Sequence, residues 1–282
     1  MIITSKDNET IKKIRKLKEK KYRDVTGKYV IEGVKLIKEA IEEEANIDTI
    51  VVCDNCVKNG EIEQSVLYEI AKYNCVYVDE KVFNNITEVQ NPQGILAVIE
   101  KKNSDKDINF SEDLIVVLDD IQDPGNLGTI LRTIDSVGLT QVIVSKKSGD
   151  VFNPKVIRST MGAIFRVNII QSENLVDTLK EIKKHKFKIV ATSLGTEESI
   201  YDMEYKKTAI IIGNEANGVS KEVLEIADKK VKIPMIRKNR KSKCSNCNRG
   251  YALWICKTEI KVKKQKELEI ALSGFLTLLI LC

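Results

Sequence analysis

Apolar and polar positions alternate along the first hundred residues in a way that predicts short strands separated by amphipathic helices. Runs rich in β-branched residues have the length of strands, and the segments between them repeat apolar residues every three or four positions, as helices do. The strands are expected at KYVIE (28–32), IDTIVVC (47–53), CVYVD (75–79) and GILAVIEK (94–101), and the helices at 33–43, 61–73 and about 80–85. This mixture predicts one compact α/β domain at residues 1–102.

A basic amphipathic helix is predicted at the start of this domain. Ile11, Ile14 and Leu17 fall on one helical face, and Asn8 precedes them as an N-cap. Residues 1–35 hold 11 Lys or Arg against 5 Asp or Glu. Such a cluster can neutralise nucleic-acid phosphates, although a solvated helix face gives the same pattern. The candidate phosphate-binding residues are Lys12, Lys13, Arg15, Lys16, Lys20, Lys21 and Arg23.

A second alternation begins after the polar stretch at residues 101–113, which lacks periodicity and is typical of a linker. Near-continuous apolar strands alternate with amphipathic helices, and this pattern predicts a parallel sheet covered on both faces. The strands are expected at 114–120, 141–145, 163–170, 188–193, 208–213 and 229–235, and the helices at 126–137, 152–160, 173–186 and 220–228. We therefore predict a second α/β domain at residues 113–235, followed by a tail at 236–282. Ligands bind such sheets at the carboxyl ends of the strands.

The composition is that of a globular protein, but its charge is unevenly distributed. The chain has 282 residues, 43% of them hydrophobic and 31% charged, which argues against disorder. Residues 236–282 hold 11 of the 46 basic and 3 of the 41 acidic residues, so residues 1–235 carry 35 basic and 38 acidic residues, a formal charge of −3. The N-terminus lacks the apolar segment of a secretory signal, and the apolar run at 271–282 is shorter than the roughly 20 residues of a spanning helix. A cytosolic location is expected.

Seven cysteines include two C-x-x-C pairs, Cys53–Cys56 and Cys244–Cys247. Four thiolates form a zinc site when the fold brings them together. These pairs lie far apart in the sequence, and the first closes an apolar strand, where thiols act as small hydrophobic groups. We therefore expect no metal, with zinc as the alternative.

Polar loops with the capacity for chemistry follow three of the predicted strands. DDIQDPGNLG (119–128) follows a strand and opens a helix, and Arg132 lies early on that helix, where it requires an anion or a carboxylate. GNEANG (213–218) follows the strand AIIIG, and IPM (233–235) ends the last strand. An ordinary turn is the alternative interpretation of each loop, and a surface salt bridge is the alternative for Arg132.

In this order the three loops resemble the motifs of the SpoU/TrmH branch of the SPOUT superfamily, the knotted RNA ribose 2'-O-methyltransferases. DPGNLGTILRT resembles their first motif, GNEANG their second and IPM the opening of their third. The segment VIRSTMGAIFRV is similar to one found between them, and residues 1–102 resemble the RNA substrate-binding domain of the same enzymes. The resemblance covers about residues 1–235.

The resemblance implies a parallel-sheet α/β domain with a deep trefoil knot, a homodimer formed through it, S-adenosylmethionine as cofactor and RNA as partner, with rRNA favoured over tRNA. Arg132 and Asn126 match the catalytic pair of the family, and Glu215 matches the acidic residue of its second motif. The loops that would hold the cofactor include Leu194, Gly195, Gly213, Ile233 and Met235.

The resemblance ends after IPM, where the family has a Gly and then Ser-Leu-Asn before its final helix. This chain continues with IRKNRKSKCSNCNRGYALWIC. A one-base frame slip near Ile236 accounts for the change, because a shifted reading of allowed codons yields GKTESLNVAIATGVMLYGFVRQR. Two alternatives follow: a catalytically impaired RNA-binding homologue that lacks the third motif, and a zinc-dependent nucleic-acid binder that uses Cys244, Cys247 and Cys256.

Overall fold

A computed structural model describes residues 2–102, 107–203 and 206–232 of the chain. The elements up to residue 102 are β1 (Ile2–Ile3), α1 (Glu9–Lys16), α2 (Lys20–Thr26), β2 (Lys28–Glu32), α3 (Val34–Glu42), β3 (Ile47–Cys53), α4 (Asp54–Lys58), α5 (Gln64–Ile70), β4 (Cys75–Val78), α6 (Glu80–Ile86) and β5 (Ile95–Glu100). The later elements are β6 (Leu114–Asp119), α7 (Pro124–Ser136), β7 (Gln141–Ser145), α8 (Pro154–Thr160), α9 (Ala163–Arg166), β8 (Asn168–Ser172), α10 (Leu175–Lys184), β9 (Lys188–Thr192), a 3-10 helix (Ile200–Asp202), β10 (Thr208–Gly213), α11 (Lys221–Ile226) and β11 (Lys229–Val231).

These elements form two compact units that interleave along the chain. The first unit combines residues 2–102 with residues 123–128 and 149–168. The second combines residues 107–122 and 129–148 with the described residues from 169 onward. The domains predicted from the sequence, residues 1–102 and 113–235, are each one continuous segment of the chain, and their boundaries stay a prediction.

The first unit is built on a mixed five-stranded sheet with the order β1-β4-β3-β5-β2. The strand β5 runs antiparallel to β2 and β3, whereas β4 runs parallel to β1 and β3. As predicted, Asn8 caps α1 by accepting a hydrogen bond from the N–H of Thr10 at 2.9 Å. Ile11, Ile14 and Leu17 are buried against this sheet. The basic segment forms two helices rather than one, because α1 ends at Lys16 and α2 begins at Lys20.

The second unit contains a six-stranded sheet with the order β11-β9-β10-β6-β7-β8. The pairs β6–β7, β6–β10, β10–β9 and β9–β11 are parallel, which confirms the predicted fold class. Leu179 and Ile182 of α10 and Val223 of α11 pack on the core of this sheet. None of the helices in the described residues is long and apolar enough to cross a bilayer.

The predicted strand at residues 163–170 is wrong over its first half. Ala163–Arg166 forms the short helix α9, and the strand begins only at Asn168. Met161 has φ +50° and Gly162 has φ +95°, so both are left-handed and the chain reverses before α9. An uninterrupted apolar run does not distinguish a buried helical turn from a buried strand.

Arg23 was expected to face RNA, but the structure places its side chain inside the first unit. The side chain is only 3% exposed and forms an ion pair with Asp150 at 2.5 Å. Its Nη1 also donates to the carbonyl oxygens of Leu17 and Lys18, at 2.7 Å each. Charge patterning cannot separate such a cation from exposed neighbours, because the partner lies 127 residues away.

Replacing Arg23 with methionine is expected to lower the free energy of unfolding by about 3–5 kcal/mol, since Asp150 would keep a buried charge without its partner. Urea denaturation followed by circular dichroism measures the change. Lys21→Met removes the same charge from an exposed neighbour and should leave the denaturation midpoint unchanged. Equal midpoints for the two variants would show that the Arg23 ion pair contributes nothing.

Candidate functional site at the carboxyl edge of the parallel sheet

Four strand ends of the second unit meet at one edge of its sheet. Gly213, the last residue of β10, is in register with Asp119, the last residue of β6. Val231, at the end of β11, is in register with Thr192, at the end of β9. Because these strands are parallel, the loops after them emerge at the same edge. The structure thus brings together the loops that carry the first two motifs and the loop with Leu194 and Gly195.

Hydrogen bonds join the first-motif turn to the second-motif loop. Asp119 is buried, and its Oδ2 accepts the N–H of Ser220 at 2.8 Å. Asn214 Nδ2 donates to the carbonyl oxygen of Asp120 at 2.8 Å. The sequence predicted polar loops here but not these pairings, since the partners lie 94 to 101 residues apart.

Gly213 has a structural reason to be glycine. Asn214 and Gly218 exchange two backbone hydrogen bonds of 3.0 and 2.9 Å, which fold the second-motif loop back over the strand end. A Cβ at Gly213 would lie 2.2 Å from the backbone nitrogen of Val219. Glu215 lies half-buried within this closed loop.

Replacing Gly213 with alanine is expected to lower the free energy of unfolding by about 1–3 kcal/mol, because backbone atoms would have to move to admit the methyl group. Thermal or urea unfolding checks this expectation. Gly195→Ala is the matched control, since a Cβ there would meet only Ser193 Oγ at 3.7 Å and Gly195 has no positive φ. If both alanine variants unfold at the wild-type midpoint, the backbone around Gly213 is not packed closely enough to exclude a methyl group.

The loop after β9 is open. Leu194 is 77% exposed, an unusual position for a large apolar side chain. Neither a left-handed backbone nor a close neighbour requires glycine at position 195. A ligand that approaches the backbone closely would require it.

The helix α7 carries the remaining first-motif residues. Asp123 caps it, because its Oδ1 accepts the N–H of Asn126 at 2.7 Å. Asn126 is half-buried in the first turn. Gly128 allows close packing on α8, since a Cβ there would lie 2.4 Å from the Cβ of Ser159. The motif glycines therefore shape the packing as well as the turn.

Arg132 is exposed on α7. Among the residues that the structure describes, its guanidinium has no hydrogen bond and no ion pair. The surface salt bridge that was the alternative interpretation is therefore not formed in this part of the chain. An arginine held without a protein anion is available to a ligand anion.

The predicted RNA-binding residues of the first unit differ in exposure. Lys13, Lys16, Lys20 and Lys21 are exposed. Lys12 and Arg15 are half-buried: Lys12 forms an ion pair with Glu9 at 3.4 Å, and Arg15 donates to Asn85 Oδ1 at 3.1 Å. With Arg23 internal, the remaining basic surface consists of four exposed and two half-buried residues: Lys12, Lys13, Arg15, Lys16, Lys20 and Lys21.

The thiols of the first C-x-x-C pair pack in the protein like small apolar side chains. Cys53 is buried, and partial burial of the neighbouring Cys56 raises the pKa of its thiol to about 12. The thiolate is the metal ligand, and it is scarce at neutral pH under these conditions. Within the described ranges no three His, Cys, Asp or Glu side chains are grouped to hold a metal ion.

Several predictions concern residues outside the described part of the chain. They include the cofactor contacts of Ile233 and Met235, the second C-x-x-C pair and the altered tail. The predicted knot depends on the third-motif loop, so it also falls there.

Two family models match successive parts of the chain. Residues 113–242 match the model described as the SpoU rRNA Methylase family, and residues 8–97 match the MRM3-like substrate binding domain. The chain is 30% identical over 234 residues to the 23S rRNA (guanosine(2553)-2'-O)-methyltransferase RlmP of Bacillus subtilis, covering 83% of this chain and 90% of that protein.

Solved structures of similar proteins cover nearly the whole chain. The AdoMet-bound rRNA methyltransferase from Sinorhizobium meliloti is 28% identical, with a TM-score of 0.80 over 94% of this chain and 99% of that one. An RNA 2'-O ribose methyltransferase is 27% identical, with a TM-score of 0.75 over 92% of this chain and 98% of that one.

Proposed function

The chain belongs to the SpoU rRNA methylase family, and from this premise we propose that it transfers a methyl group from S-adenosylmethionine to a ribose 2'-hydroxyl of ribosomal RNA. The observation that carries the proposal is Arg132, an exposed first-motif arginine that pairs with no anion among the described residues. The relative from Bacillus subtilis carries a 2'-O-methyltransferase name, and the relative from Sinorhizobium meliloti was solved with AdoMet bound.

The loops at the sheet edge fit S-adenosylmethionine. Gly195 leaves its backbone accessible, and Leu194 offers an exposed apolar side chain to an adenosine. With Gly213, these residues would hold the cofactor from the described part of the chain, and Ile233 and Met235 are proposed to complete the set. When bound, S-adenosylmethionine supplies a methyl group that its sulfonium has already activated.

The protein must position the 2'-hydroxyl and assist the loss of its proton, because a ribose hydroxyl is a poor nucleophile. A guanidinium stays protonated at physiological pH and does not act as a base. We assign Arg132 the electrostatic role: it binds the adjacent phosphate and stabilises the developing alkoxide. Asn126 and Glu215 remain proposed catalytic residues, from their positions in the first and second motifs.

The exposed lysines of α1 and α2 support RNA as the partner, since contacts to phosphates dominate such binding. The match of residues 8–97 to the MRM3-like substrate binding domain includes these helices and supports the same proposal. A homodimer and a cytosolic location remain predictions.

Methyl transfer from labelled S-adenosylmethionine to ribosomal RNA, followed by mapping of 2'-O-methyl positions, tests the proposed function. The test compares the chain as written with a variant whose residues from 237 onward read GKTESLNVAIATGVMLYGFVRQR. Activity of both forms supports the function, whereas activity of the variant alone supports the function together with the frame slip. If neither form methylates ribosomal RNA, the proposed substrate is wrong.

Gly195→Ala separates a cofactor contact from a structural glycine. We expect the affinity for S-adenosylmethionine to fall at least about tenfold, while the unfolding midpoint stays at the wild-type value because the fold leaves room for the methyl group. Isothermal titration calorimetry measures the affinity, in whichever of the two forms, the chain as written or its tail variant, methylates RNA. Unchanged binding would remove Gly195 from the cofactor site.

A further inference from the structure

Two buried serine hydroxyls hold the first-motif turn. Ser145 ends β7 and Ser148 follows it three residues later, and the two are 4% and 6% exposed. Ser145 Oγ accepts the N–H of Asp120 at 2.9 Å, and Ser148 Oγ accepts the N–H of Ile121 at 3.1 Å. The two hydroxyls are themselves hydrogen-bonded at 3.0 Å. We call this pair the serine clip.

The clip acts on a residue with a left-handed backbone. Asp120 has φ +60°, a region that few residues other than Gly adopt, although Asp and Asn do so more readily than the rest. The serine clip fixes its N–H and the next one, and Asn214 Nδ2 donates to its carbonyl oxygen at 2.8 Å. Three hydrogen bonds therefore hold this backbone conformation.

Packing holds one residue of the turn as well. Ile121 is fully buried, whereas Asp120 is half-buried. A cavity of about 660 Å³ borders the neighbouring strand ends and is lined by Asp119, Ser145 and Ser220 among others. The hydrogen bonds therefore fix the backbone of Asp120, the residue that packing leaves partly exposed.

We propose that Ser145 and Ser148 are positioning residues for methyl transfer. This inference rests on the proposed function. The clip fixes the turn from which α7 departs toward Arg132, and through Asp120 it also fixes the loop of Asn214 and Glu215. Neither serine belongs to the three motifs, and both act through the backbone of the turn.

Hydrogen exchange of the full chain tests the coupling without any need for activity. In the variant Ser145→Ala/Ser148→Ala, we expect backbone amides of residues 119–122 to exchange at least about tenfold faster, because two N–H groups lose their acceptors. Residues 214–218 should also exchange faster, although neither serine touches them. Ser172→Ala is the control, since Ser172 is a buried serine of the same unit that bonds to Thr178 Oγ1 at 2.8 Å.

The second readout is the steady-state kinetics of methyl transfer, measured in whichever form, the chain as written or its tail variant, methylates RNA. The double variant should lose about tenfold to a hundredfold in kcat, with KM for S-adenosylmethionine within about threefold, because misplaced catalytic groups slow the chemical step. Ser172→Ala should keep kcat near wild type at a comparable loss of unfolding midpoint. If the double variant does not fold, each single variant carries the same test.

Two results would overturn the proposal. One is unchanged exchange at residues 214–218 in every clip variant that folds. The other is a loss of kcat equal to that of Ser172→Ala at the same midpoint. Failure of both the wild-type chain and its tail variant to methylate RNA would contradict the proposed function instead, and the exchange experiment would still decide whether the clip holds both loops.

Discussion

Replacing Arg132 with lysine is expected to reduce the rate of methyl transfer by about 10²–10³-fold, with little change in affinity for S-adenosylmethionine. The guanidinium presents donors in a fixed planar arrangement that can contact a phosphate and a developing alkoxide together, and an ammonium cannot reproduce that geometry. The described structure gives Arg132 no protein anion, so the substitution breaks no ion pair among those residues.

Single-turnover methyl transfer at saturating RNA measures this effect, and titration calorimetry measures cofactor affinity. Arg15→Lys is the matched control, because it makes the same chemical change on the predicted RNA surface and keeps the charge. We expect Arg15→Lys to turn over near the wild-type rate. A rate for Arg132→Lys within twofold of wild type would remove Arg132 from the mechanism.

Replacing four of the five lysines of the basic surface with glutamine is expected to weaken RNA binding strongly and to flatten its dependence on salt. The substituted residues are Lys12, Lys13, Lys16 and Lys20. Each lost phosphate contact lowers the slope of log affinity against log salt by about 0.7–0.9, so four contacts change the slope by about 3. Cofactor affinity should not change.

Filter binding or anisotropy across a salt series measures the slope. The control removes four exposed lysines from the second unit, as Lys180→Gln, Lys184→Gln, Lys186→Gln and Lys188→Gln, which changes the net charge equally. We expect the control to leave the slope near that of the wild type. If the two sets shift it equally, the α1–α2 surface contributes only general charge.

Periodicity was enough to predict most of the elements and the class of fold. The second sheet could be predicted because parallel strands that are buried on both faces appear in the sequence as continuous apolar runs, such as LIVVLD and TAIIIG. The N-cap at Asn8 could be predicted because its hydrogen bond reaches only two residues along the chain. Local signals of this kind depend on neighbours in sequence.

Arg23 and the segment at 163–166 show where such signals fail. Arg23 sits in the same basic run as Lys20 and Lys21, and its burial is decided by Asp150, far along the chain. The run AIFR is as apolar as a strand, and the left-handed residues before it make it a helical turn. Both outcomes depend on contacts that local pattern does not contain.

Some residues of the candidate site could likewise be predicted from the sequence, and others could not. Motif residues such as Arg132 and Glu215 could be named from the order of the loops, because parallel strands bring their carboxyl ends to one edge. The roles of Asp120, Ser145 and Ser148 could not, because a left-handed backbone and its hydrogen-bond partners come together only when separate strands are in register. The pattern along the chain thus selected the candidate residues, the family resemblance supplied their proposed chemistry, and long-range hydrogen bonds in the folded protein determine what holds their loops in place.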